Sequence, residues 1–569
     1  MTLYELRPPF SPEMHDVLGS FPQLLRELLL HRGITNKDDA ERFLKPDYVR
    51  DSHDPFLIKN MDVAVTRTLE ALKRGEKVAI WSDYDCDGIP GAVLLHDFFK
   101  KIGANFVNYI PHRHEEGYGL NKIGIEELSG QGVTLMITVD SGITDIEPVL
   151  HAKKLGIDVI VTDHHLPGKT LPEAYAVLNS KQEGDQYPYK YLAGSGVAFK
   201  LIQALILRGS ENGQITLPNG WEKWLLDMAG LATLADMVPL TGENRMLAYF
   251  GLLVLRKSPR LGLIKLCRKM RVRQRELTED DVGFMVVPRI NAASRMGVPF
   301  DAFRLLTTTD EVEADELSDH LNRINDERKG VVASMVKEIR KRMENRETNK
   351  VIVMGDPRWK PALLGLAANS LAEDYNRPVF LWGREGGNVI KGSCRSDGSV
   401  NVVELMRLRR ELFIDFGGHA FSGGFSVIHE KIHILETELT LAFTELQVPS
   451  EEPSSVLLDG ELALSEVNWS AWNTIAALGP YGEGNPKPIF LFPNVEIQSV
   501  KQFGKKSEHL ELKLARSNQA PIPAIAFFTT PEQFECSLHI GAKVNLVGSI
   551  ERSTFKNFPE LRLRIEDII

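Results

Sequence analysis

The sequence has few cysteines and no long apolar segment. Only four cysteines occur among 569 residues, Cys86, Cys267, Cys394 and Cys536, and no two of them form a Cys-x-x-Cys pair. This pattern argues against a disulfide framework or a zinc ribbon and fits a reducing compartment. The N-terminus lacks a basic start followed by an apolar run, and no stretch of ~18 apolar residues occurs, so we predict neither a secretion signal nor a membrane-spanning helix. We therefore expect a cytoplasmic protein that does not bind membranes.

Positive charge is scarce relative to negative charge. The formal net charge is -10 at pH 7, so a polyanionic partner would have to be held by a local basic surface and not by the field of the whole molecule. One candidate is the segment 256–275, which contains nine lysines and arginines and no acid. Such a run contacts phosphates if its members share a face, and otherwise it is a solvated helix face. Charge alone does not separate these two interpretations.

The length predicts several domains, because 569 residues are about three to four times the ~150 residues of an ordinary domain. A hydrophobic fraction of 43% and a charged fraction of 25% exclude a largely disordered or collagen-like chain. Apolar segments rich in β-formers, at 78–81, 106–110, 135–139 and 159–162, alternate with helical stretches. This alternation predicts βαβ units and a mostly parallel sheet, whose ligand site lies at the carboxyl ends of the strands.

Changes of pattern divide the rest of the chain. Residues 310–350 are charged, lack proline and carry apolar residues at helical spacing, which indicates long connecting helices. A second α/β pattern follows, and after a polar break at 451–455 short apolar segments are typical of a small barrel or sandwich. The predicted segments are an N-terminal extension packed on the catalytic domain (1–55), a first α/β domain (56–305), connecting helices (306–350), a second α/β domain (351–450) and a C-terminal β-barrel (455–569).

Acidic and histidine residues follow three of the predicted strands. Because the carboxyl ends of parallel strands meet at one edge of the sheet, we expect these side chains to lie close together. A further aspartate, Asp236, ends the apolar stretch at 230–235 and is assigned to the same cluster from its pattern alone. The strand-end residues are Asp83, Asp85 and Asp87 after 78–81, Asp140 after 135–139, and Asp163, His164 and His165 after 159–162.

The acidic cluster predicts bound divalent metal ions. Any one of these aspartates, taken singly, is more simply a helix cap or a turn residue. Jointly, two carboxylates ~4 Å apart repel by about 4 kcal/mol at an effective dielectric of about 20, so several such pairs require cations. Carboxylates with one or two imidazoles and no thiolate favour Mn²⁺ or Mg²⁺. Two such ions suit the hydrolysis of a phosphodiester, whereas the sequence contains no phosphate-binding loop of a nucleoside triphosphatase.

Four motifs resemble those of the DHH phosphoesterase superfamily: SDYDCDG at 82–88, TVDSG at 138–142, TDHHLPG at 162–168 and LADMVPL at 234–240. Further motifs, spread over nearly the whole chain, are similar to those of the RecJ family of single-stranded-DNA-specific 5′ exonucleases. The resemblance implies a DHH domain with a mostly parallel sheet, long connecting helices, a second α/β domain called DHHA1, and a C-terminal barrel of the OB-fold type. The further motifs are RHEEGYGLN at 113–121, LAGSGVAF at 192–199, PRINAASRMG at 288–297, GSCRS at 392–396, GGHAFSGG at 417–424 and GPYGEGNPKPIF at 479–490.

The resemblance also implies roles for individual residues. His165 would face the scissile phosphate and, with Asp85 and Asp140, carry the catalysis. Asp85 and Asp140 would be shared by two Mn²⁺ or Mg²⁺ ions, and the full set of implied ligands is Asp83, Asp85, Asp87, Asp140, His164 and Asp236. Arginine suits bidentate phosphate capture and glycine lets backbone N–H groups approach, although surface arginines and a plain turn are the simpler interpretation without the resemblance. The residues implied in holding DNA and its 5′ phosphate are Arg113, Asn291, Arg295, Ser393, Arg395, Gly418 and His419.

The chain departs from the usual pattern of the family at several positions outside the metal-binding set. Because the six matched metal positions are all retained, we expect hydrolysis to persist. The departures surround the expected DNA path, and they bear on grip, rate and the preference for a 5′ phosphate. They include Pro90, Ser294, Lys360, Cys394 and Phe421.

The C-terminal segment carries phenylalanines among lysines and arginines. On an OB-fold, an exposed phenylalanine stacks on a base and contributes about 1–3 kcal/mol. For any single phenylalanine of this segment, burial in the barrel core is the simpler interpretation. The residues are Phe490, Phe492, Phe503, Phe527, Phe528, Phe555 and Phe558.

The expected function is a metal-dependent 5′ to 3′ exonuclease that degrades single-stranded DNA with a free 5′ end to 5′ mononucleotides in DNA repair and recombination. The resemblance further implies a monomer, with single-strand-binding protein and a helicase as candidate partners. One alternative is a DHH phosphodiesterase of short oligonucleotides or cyclic dinucleotides, which would not need the OB-like segment. The other is a weakly catalytic scaffold that binds single-stranded DNA, against which the intact acidic residues argue.

Overall fold

The computed structural model describes residues 3–344, 346, 349–384, 389–446, 455–504, 506–517, 519–553 and 558–569. Two α/β domains, a long helix between them and a C-terminal closed barrel form the chain, so the predicted fold class is confirmed. Within these ranges no helix is both long enough and apolar enough to cross a membrane. Phe555, the predicted polar break at 451–454 and the last residues of the predicted second domain, 447–450, lie outside the described residues.

The N-terminal segment is divided between the barrel and the first domain. Leucines of its second helix share a hydrophobic core with the barrel, whereas His53, near its end, accepts a hydrogen bond from the buried Nζ of Lys200 at 2.8 Å. The prediction placed the whole segment on the catalytic domain, but the apolar face of the second helix is covered by the barrel instead. The elements are β1 (Leu3–Leu6), α1 (Pro12–Val17), α2 (Gln23–Leu30) and α3 (Lys37–Leu44).

The first domain is built on a parallel sheet whose strands are β2 (Lys77–Ser82), β3 (Phe106–Tyr109), β4 (Val133–Val139), β5 (Asp158–Thr162) and β6 (Ala176–Leu178). Their spatial order is β3-β2-β4-β5-β6. The four predicted strands are confirmed. The sequence pattern does not predict β6, because three residues are too few to show a periodicity.

Helices cover both faces of this sheet. Val78 and Ile80 of β2 belong to one hydrophobic core, and Ala79 and Trp81 belong to another on the opposite face, as the period of two along a strand requires. The central strands are therefore apolar along their whole length. The helices are α4 (Met61–Arg74), α5 (Gly88–Ile102), α6 (Lys122–Gly130), α7 (Ile146–Lys154), α8 (Gly194–Glu211), α9 (Leu226–Ala235), α10 (Gly242–Leu255), α11 (Leu261–Met270), α12 (Glu279–Asp281), α13 (Val287–Met296) and α14 (Pro299–Thr307).

A single helix, α15 (Glu311–Met343), stands where we predicted connecting helices. Asp310 caps its N-terminus by accepting a hydrogen bond from the backbone N–H of Glu313 at 2.8 Å. The first half packs on α11 and α13, and the second half, with Met335 and Ile339, belongs to the core of the second domain. One continuous helix of 33 residues, about 50 Å long, therefore belongs to both domains and joins them.

The second domain has a mixed sheet in the order β10-β11-β9-β8-β7, in which only the pairing of β7 with β8 is parallel. The glycine-rich motif at 417–424 forms the end of the β10–β11 hairpin, with Gly417 opposite Gly424 and Gly418 opposite Gly423. The elements are β7 (Ile352–Gly355), α16 (Pro361–Tyr375), β8 (Val379–Gly383), β9 (Val389–Arg395), α17 (Val402–Arg407), β10 (Phe413–His419), β11 (Ser422–Ile428) and α18 (Leu435–Glu445).

The C-terminal barrel closes in the order β13-β14-β15-β17-β16. Phe490 and Phe492 are buried in its core, so for these two the simpler interpretation is confirmed. Strand β12, before the barrel, pairs in parallel with β1. The elements are β12 (Ser455–Leu458), α19 (Trp469–Ala476), β13 (Phe490–Phe503), β14 (His509–Arg516), β15 (Gln519–Ala526), β16 (Lys543–Ser553) and β17 (Glu560–Ile568).

The basic segment 256–275 does not form one cationic face. Arg260 is buried in ion pairs with Asp97 and Asp227. Lys269 pairs with two aspartates of α15, and Arg256 donates to a backbone carbonyl of the same domain. These three cations hold α11 and its neighbours together, so they are not available to bind phosphates.

Candidate metal centre and nucleic-acid cleft

The ends of β2, β4 and β5 deliver acidic residues to one edge of the sheet, as predicted. The backbone N–H of Asp83 donates to Val139, and that of Asp140 donates to Thr162, at 3.1 and 3.0 Å. The strand pairing thus continues to the acidic residues and fixes them side by side. Asp140 has a φ of 58°, a conformation that aspartate tolerates better than most residues.

The predicted metal ligands are brought together in three overlapping groups, in each of which the ligand atoms lie within 4.8 Å of one another. Asp140 and His164 each belong to two groups, whereas Asp85, which the resemblance implied as the other shared ligand, belongs to one. Asp236 joins the cluster from the C-terminal end of helix α9, so the apolar stretch before it is a buried helix. The groups are Asp83, Asp85 and Asp140; Asp87, His164 and Asp236; and Asp140, His164 and His165.

The atoms of this cluster face one another without the hydrogen bonds that buried polar atoms require. Nε2 of His164 lies 3.2 Å from Asp140, 3.5 Å from Asp236 and 3.7 Å from Asp87. Oδ1 of Asp83, Oδ1 of Asp140, Oδ2 of Asp236 and both ring nitrogens of His164 are buried with no hydrogen-bond partner among the described residues. A divalent cation would satisfy the carboxylate oxygens and one imidazole nitrogen, so the donor set fits Mn²⁺ or Mg²⁺.

The electrostatics of the cluster lead to the same conclusion. Burial, and then the neighbouring carboxylates, raise the pKa of Asp83, Asp140 and Asp236 well above the ordinary value and that of Asp87 to about 6. Burial and the neighbouring His165 lower the pKa of His164 to about 3, which keeps its imidazole neutral and able to coordinate a metal. Carboxylates that hold protons in the absence of a cation are the expected signature of a metal site.

Asp87 is fixed by the N-terminus of α8. The backbone N–H groups of Gly194 and Ser195 donate to its two carboxylate oxygens at 2.6 and 2.7 Å. A Cβ at position 194 would lie 2.7 Å from the Asp140 side chain, so only glycine fits there. The Gly-Ser-Gly sequence at 194–196 was too short a signal to interpret from the sequence, and its role is to orient an acidic side chain of the site.

Asp163 orients both histidines. Its Oδ1 lies 2.8 Å from Nδ1 of His165 and accepts hydrogen bonds from the backbone N–H groups of His164 and His165. Although burial alone lowers the pKa of His165, the hydrogen bond that its Nδ1 donates to Asp163 raises it above the ordinary value. The sequence placed Asp163 at the strand end but gave it no role. The sequence feature that could have indicated this role is the position of Asp163 directly before His164 and His165.

Two further side chains at the site carry no usable signal in the sequence. The Nζ of Lys181 donates to the backbone carbonyl of His164 at 2.5 Å, and the hydroxyl of Tyr118 donates to the carbonyl of Asp140 at 3.2 Å. Burial lowers the pKa of Lys181, and the charge of Asp236 opposes that shift. Burial, followed by the charges of His165 and Lys181, lowers the pKa of His419, which places this residue of the second domain near the cluster.

Gly418 is required by the geometry of the hairpin that carries His419. It has a φ of 140°, and a Cβ there would lie 2.3 Å from the carbonyl oxygen of Ser422. Glycine thus lets the hairpin turn tightly at the cleft.

A group of arginines lines the cleft next to the acidic cluster. Arg295 donates to the carbonyl of Ala362 at 3.0 Å and so joins α13 to α16 across the two domains. Burial, followed by Arg113, Arg328 and Arg395, lowers its pKa to about 10, and Asp85 opposes that shift. Neighbouring cations that repel one another in this way favour a bound anion, because the anion relieves the repulsion. The sequence singled out three of the four arginines and missed Arg328.

The remaining predicted DNA contacts lie around these arginines. A Cβ at Gly365 would be 2.9 Å from Nη2 of Arg395 and 3.1 Å from Oγ of Ser393, so both side chains converge on the start of α16. Arg113 lies over the ring of Tyr84, next to the first acidic motif, at 4.8 Å. Asn291 is one helical turn before Arg295, and its Oδ1 is buried without a partner among the described residues.

Comparisons with known proteins identify the family. Residues 77–233 match the DHH family, N-terminal domain; residues 348–440 match the DHHA1 domain; and residues 458–567 match the RecJ OB domain. The chain is 33% identical to the single-stranded-DNA-specific exonuclease RecJ of Bacillus subtilis, over 96% of this chain and 67% of that protein. It is 32% identical to the protein of the same name from Salmonella typhimurium, over 99% of both. The chain belongs to the RecJ family.

Solved structures of RecJ proteins share this fold. RecJ of Thermus thermophilus in complex with Mn²⁺ superimposes with a TM-score of 0.81 at 27% identity, over 100% of this chain and 79% of that one. The complex of the same protein with Mg²⁺ gives a TM-score of 0.75 over 100% of this chain and 78% of that one, also at 27% identity. Divalent ions in these relatives and the unsatisfied carboxylate and imidazole atoms described above together support the use of a divalent metal by this chain.

The departures from the usual RecJ pattern fall into two groups. Cys394 lies in the hydrophobic core of the second domain, and Ser294 is buried with its Oγ donating to Asn291 of its own helix. Pro90 is buried in the first turn of α5, where the missing N–H is tolerated. Lys360 and Phe421 are exposed. Three of the five changes are therefore internal, and two remain on the surface where DNA can reach them.

Aromatic side chains cluster on the outside of the barrel. Phe527 packs edge-on against Phe503 and His509, and the guanidinium of Arg564 lies 4.4 Å from its ring centroid. Phe528, the next residue, is 80% exposed, and Phe558 is 62% exposed. Exposed rings beside arginines suit the stacking of bases along a strand.

Proposed function

We propose that this chain is a metal-dependent exonuclease that degrades single-stranded DNA from its 5′ end to 5′ mononucleotides in DNA repair and recombination. One observation carries the proposal: Arg295 lies close enough to Asp85 and to Arg395 for both to influence its pKa. A cationic pocket for a terminal phosphate thus adjoins the acidic cluster. An exonuclease requires this adjacency, because it cleaves at a fixed short distance from the strand end.

We infer that two ions, Mn²⁺ or Mg²⁺, bind at the cluster, with Asp85 and Asp140 shared between them. When bound, such ions supply an activated water and stabilise the developing negative charge of the phosphate. The proposed ligands are Asp83, Asp85, Asp87, Asp140, His164 and Asp236.

The chain supplies a cation of its own at the site. Asp163 holds His165 in one orientation and favours its imidazolium form. His165 then donates a hydrogen bond to a non-bridging oxygen of the scissile phosphate, where charge develops in the transition state. Tyr118 limits the movement of this ring, because its hydroxyl lies 3.4 Å from Nδ1 of His165.

The DNA strand passes between the two domains. Arg295, Arg395 and Ser393 bind the 5′ phosphate, and the convergence of these side chains on the start of α16 supports this assignment. Arg113, Asn291, Gly418 and His419 line the adjoining cleft and position the first nucleotides. Farther along, Phe528 on the barrel stacks on a base, which gives a longer strand an advantage over a dinucleotide.

The alternatives account for fewer of these features. A phosphodiesterase of short oligonucleotides or cyclic dinucleotides has no use for exposed aromatic rings on a separate barrel. A weakly catalytic scaffold has no use for six acidic and histidine ligands gathered within reach of common ions. We further propose a monomer in the cytoplasm that works with single-strand-binding protein and a helicase. The four free cysteines fit a reducing compartment.

The test is an end-labelled cleavage assay with Mn²⁺. We expect mononucleotides from the first time point on 5′-phosphorylated single-stranded DNA, little cleavage of blunt duplex, and slow hydrolysis of dinucleotides and cyclic dinucleotides. Internal fragments would indicate an endonuclease. Preferential hydrolysis of the dinucleotide would favour the small-substrate phosphodiesterase, and retention of DNA without product would favour the scaffold.

A further inference from the structure

The loop that carries Asp236 is held by a part of the chain that lies far away in sequence. Residues 236–241 connect α9 to α10, and within this loop the backbone N–H of Leu240 donates to the carbonyl of Glu483 at 2.7 Å. Met237 has a φ of 54° and is 75% exposed, so the loop beside Asp236 gains little from packing there. Leu240 is only 2% exposed, and the carbonyl of Pro239 accepts hydrogen bonds from Tyr189 and Asn244, so the hydrogen bond to Glu483 is one of several contacts that fix the loop.

Glu483 belongs to the C-terminal turn, which we define as residues 479–486 of the motif GPYGEGNP. Two of its glycines allow a close approach to the loop. A Cβ at Gly482 would lie 2.8 Å from Cδ1 of Leu240, and a Cβ at Gly484, whose φ is +69°, would lie 3.2 Å from Cβ of Pro239. The C-terminal turn thus packs directly on the loop and has room for little more than hydrogen at both positions.

The C-terminal turn is itself anchored on two sides. Arg245 of α10 donates to the carbonyls of Gly479 and of Phe43, both at 2.8 Å. Asn485, which is fully buried, donates to the carbonyls of Pro480 in the turn and Leu478 just before it, and accepts from Nε of Arg32 at 2.7 Å. The turn is therefore a rigid support that is tied to the N-terminal segment as well as to the first domain.

We propose that the C-terminal turn positions Asp236 for metal binding, so that the barrel segment sets the affinity of the metal centre as well as contacting DNA. This inference rests on the proposed role of Asp236 as a metal ligand. Oδ2 of Asp236 has no hydrogen-bond partner among the described residues, so no side chain of the site itself holds it. Supports behind metal ligands typically change metal affinity about 10- to 100-fold when they are lost.

The test compares two substitutions that strain the backbone equally. Gly484→Val places a β-branched side chain at positive φ and against Pro239. Gly541→Val also places a β-branched side chain at positive φ, here +86°, but no atom lies within 4 Å of the new Cβ. Mn²⁺ affinity of the full chain is measured from the electron paramagnetic resonance signal of free Mn²⁺. We expect binding about 10- to 100-fold weaker in Gly484→Val and unchanged in Gly541→Val.

Two further measurements separate positioning from a general loss of structure. Hydrogen exchange of the Leu240 amide should be faster in Gly484→Val, while binding of single-stranded DNA in a chelator stays the same. Should Gly484→Val fail to fold, Gly482→Ala, which adds one methyl group against Leu240, takes its place with the same expectations.

Asp236→Asn, measured in parallel, distinguishes this inference from the proposed function. If Asp236→Asn weakens Mn²⁺ binding and the folded glycine variant does not, the C-terminal turn has no positioning role and the ligand assignment stands. If Asp236→Asn leaves Mn²⁺ binding unchanged, Asp236 is no ligand and the inference falls with that assignment.

Discussion

Nδ1 of His165 lies 2.8 Å from Oδ1 of Asp163, and Asp163 is only 1% exposed. The buried carboxylate also accepts the backbone N–H of Ile143 at 3.0 Å, so it cannot turn away from the imidazole. Although burial alone raises the pKa of Asp163, its hydrogen bond with His165 lowers it, and the pair is held as carboxylate and imidazolium. In the proposed mechanism, this fixed positive charge faces the scissile phosphate.

Asp163→Asn tests the importance of this charge. The amide keeps the volume but removes the group that raises the pKa of His165. We expect kcat to fall about 10- to 100-fold, and we expect activity to be lost at a lower pH than in the unsubstituted protein, because the imidazolium now loses its proton earlier. The measurement is kcat for single-stranded DNA across pH. An unchanged alkaline limb would exclude the proposed role of the imidazolium.

Asp140→Asn separates catalysis from stability. Burial, Asp87 and Asp85 raise the pKa of Asp140, so its charge destabilises the metal-free fold. The substitution suits the φ of 58°. We expect cleavage to be abolished and the metal-free protein to become more stable, because the uncharged amide is not repelled by the neighbouring carboxylates. Cleavage assays and thermal unfolding in a chelator check the two effects, and retained hydrolysis would exclude Asp140 as a ligand.

Stabilisation by Mn²⁺ should increase with pH. The pKa of Asp87 in the folded protein is raised from 3.8 to about 6. Protonation of Asp87 therefore stabilises the metal-free fold fully below pH 3.8, and this stabilisation is lost as the pH rises through about 6. Asp83 and Asp140 extend this loss to higher pH. A metal ion replaces these protons. Thermal unfolding with Mn²⁺ and with a chelator, at about pH 5.5 and about pH 7.5, should show the larger difference at the higher pH; equal differences would contradict the account.

Arg295→Ala tests recognition of the strand end. A lost hydrogen bond to a charged group costs about 1.5–3 kcal/mol, which corresponds to a KM about 10- to 150-fold higher for 5′-phosphorylated DNA. A strand with a 5′ hydroxyl should be affected much less. Arg268→Ala is the matched control, because Arg268 is exposed on α11 and is not among the arginines that lower the pKa of Arg295. An equal rise of KM for both kinds of strand would mean that Arg295 does not bind the terminal phosphate.

The sequence predicts the residues at the carboxyl edge of the sheet well, because the acidic and histidine residues follow the predicted strands closely. Asp83, Asp140 and His164 each follow a β-rich run closely, and parallel pairing then brings them together. For Asp236 the pattern is less informative, since this residue ends a buried helix and no strand pattern precedes it.

Long-range contacts account for what the sequence does not predict. Lys181 and Arg328 are single cations in unremarkable segments, and only the folded chain places them at the cleft. In the basic segment 256–275, the sequence shows the cations but not their partners. Arg260 pairs with Asp97 and Asp227, which lie in other parts of the sequence. The composition of a local segment does not predict contacts with residues that are distant in the sequence.

Anomalous X-ray scattering from crystals grown with Mn²⁺ tests the central claim most directly. The account predicts two peaks about 3.5–4 Å apart, both within coordination distance of the Asp140 carboxylate, with His164 and Asp236 on one of them. A single peak away from Asp140, or no peak at the ends of β2, β4 and β5 in protein that degrades single-stranded DNA, would contradict it.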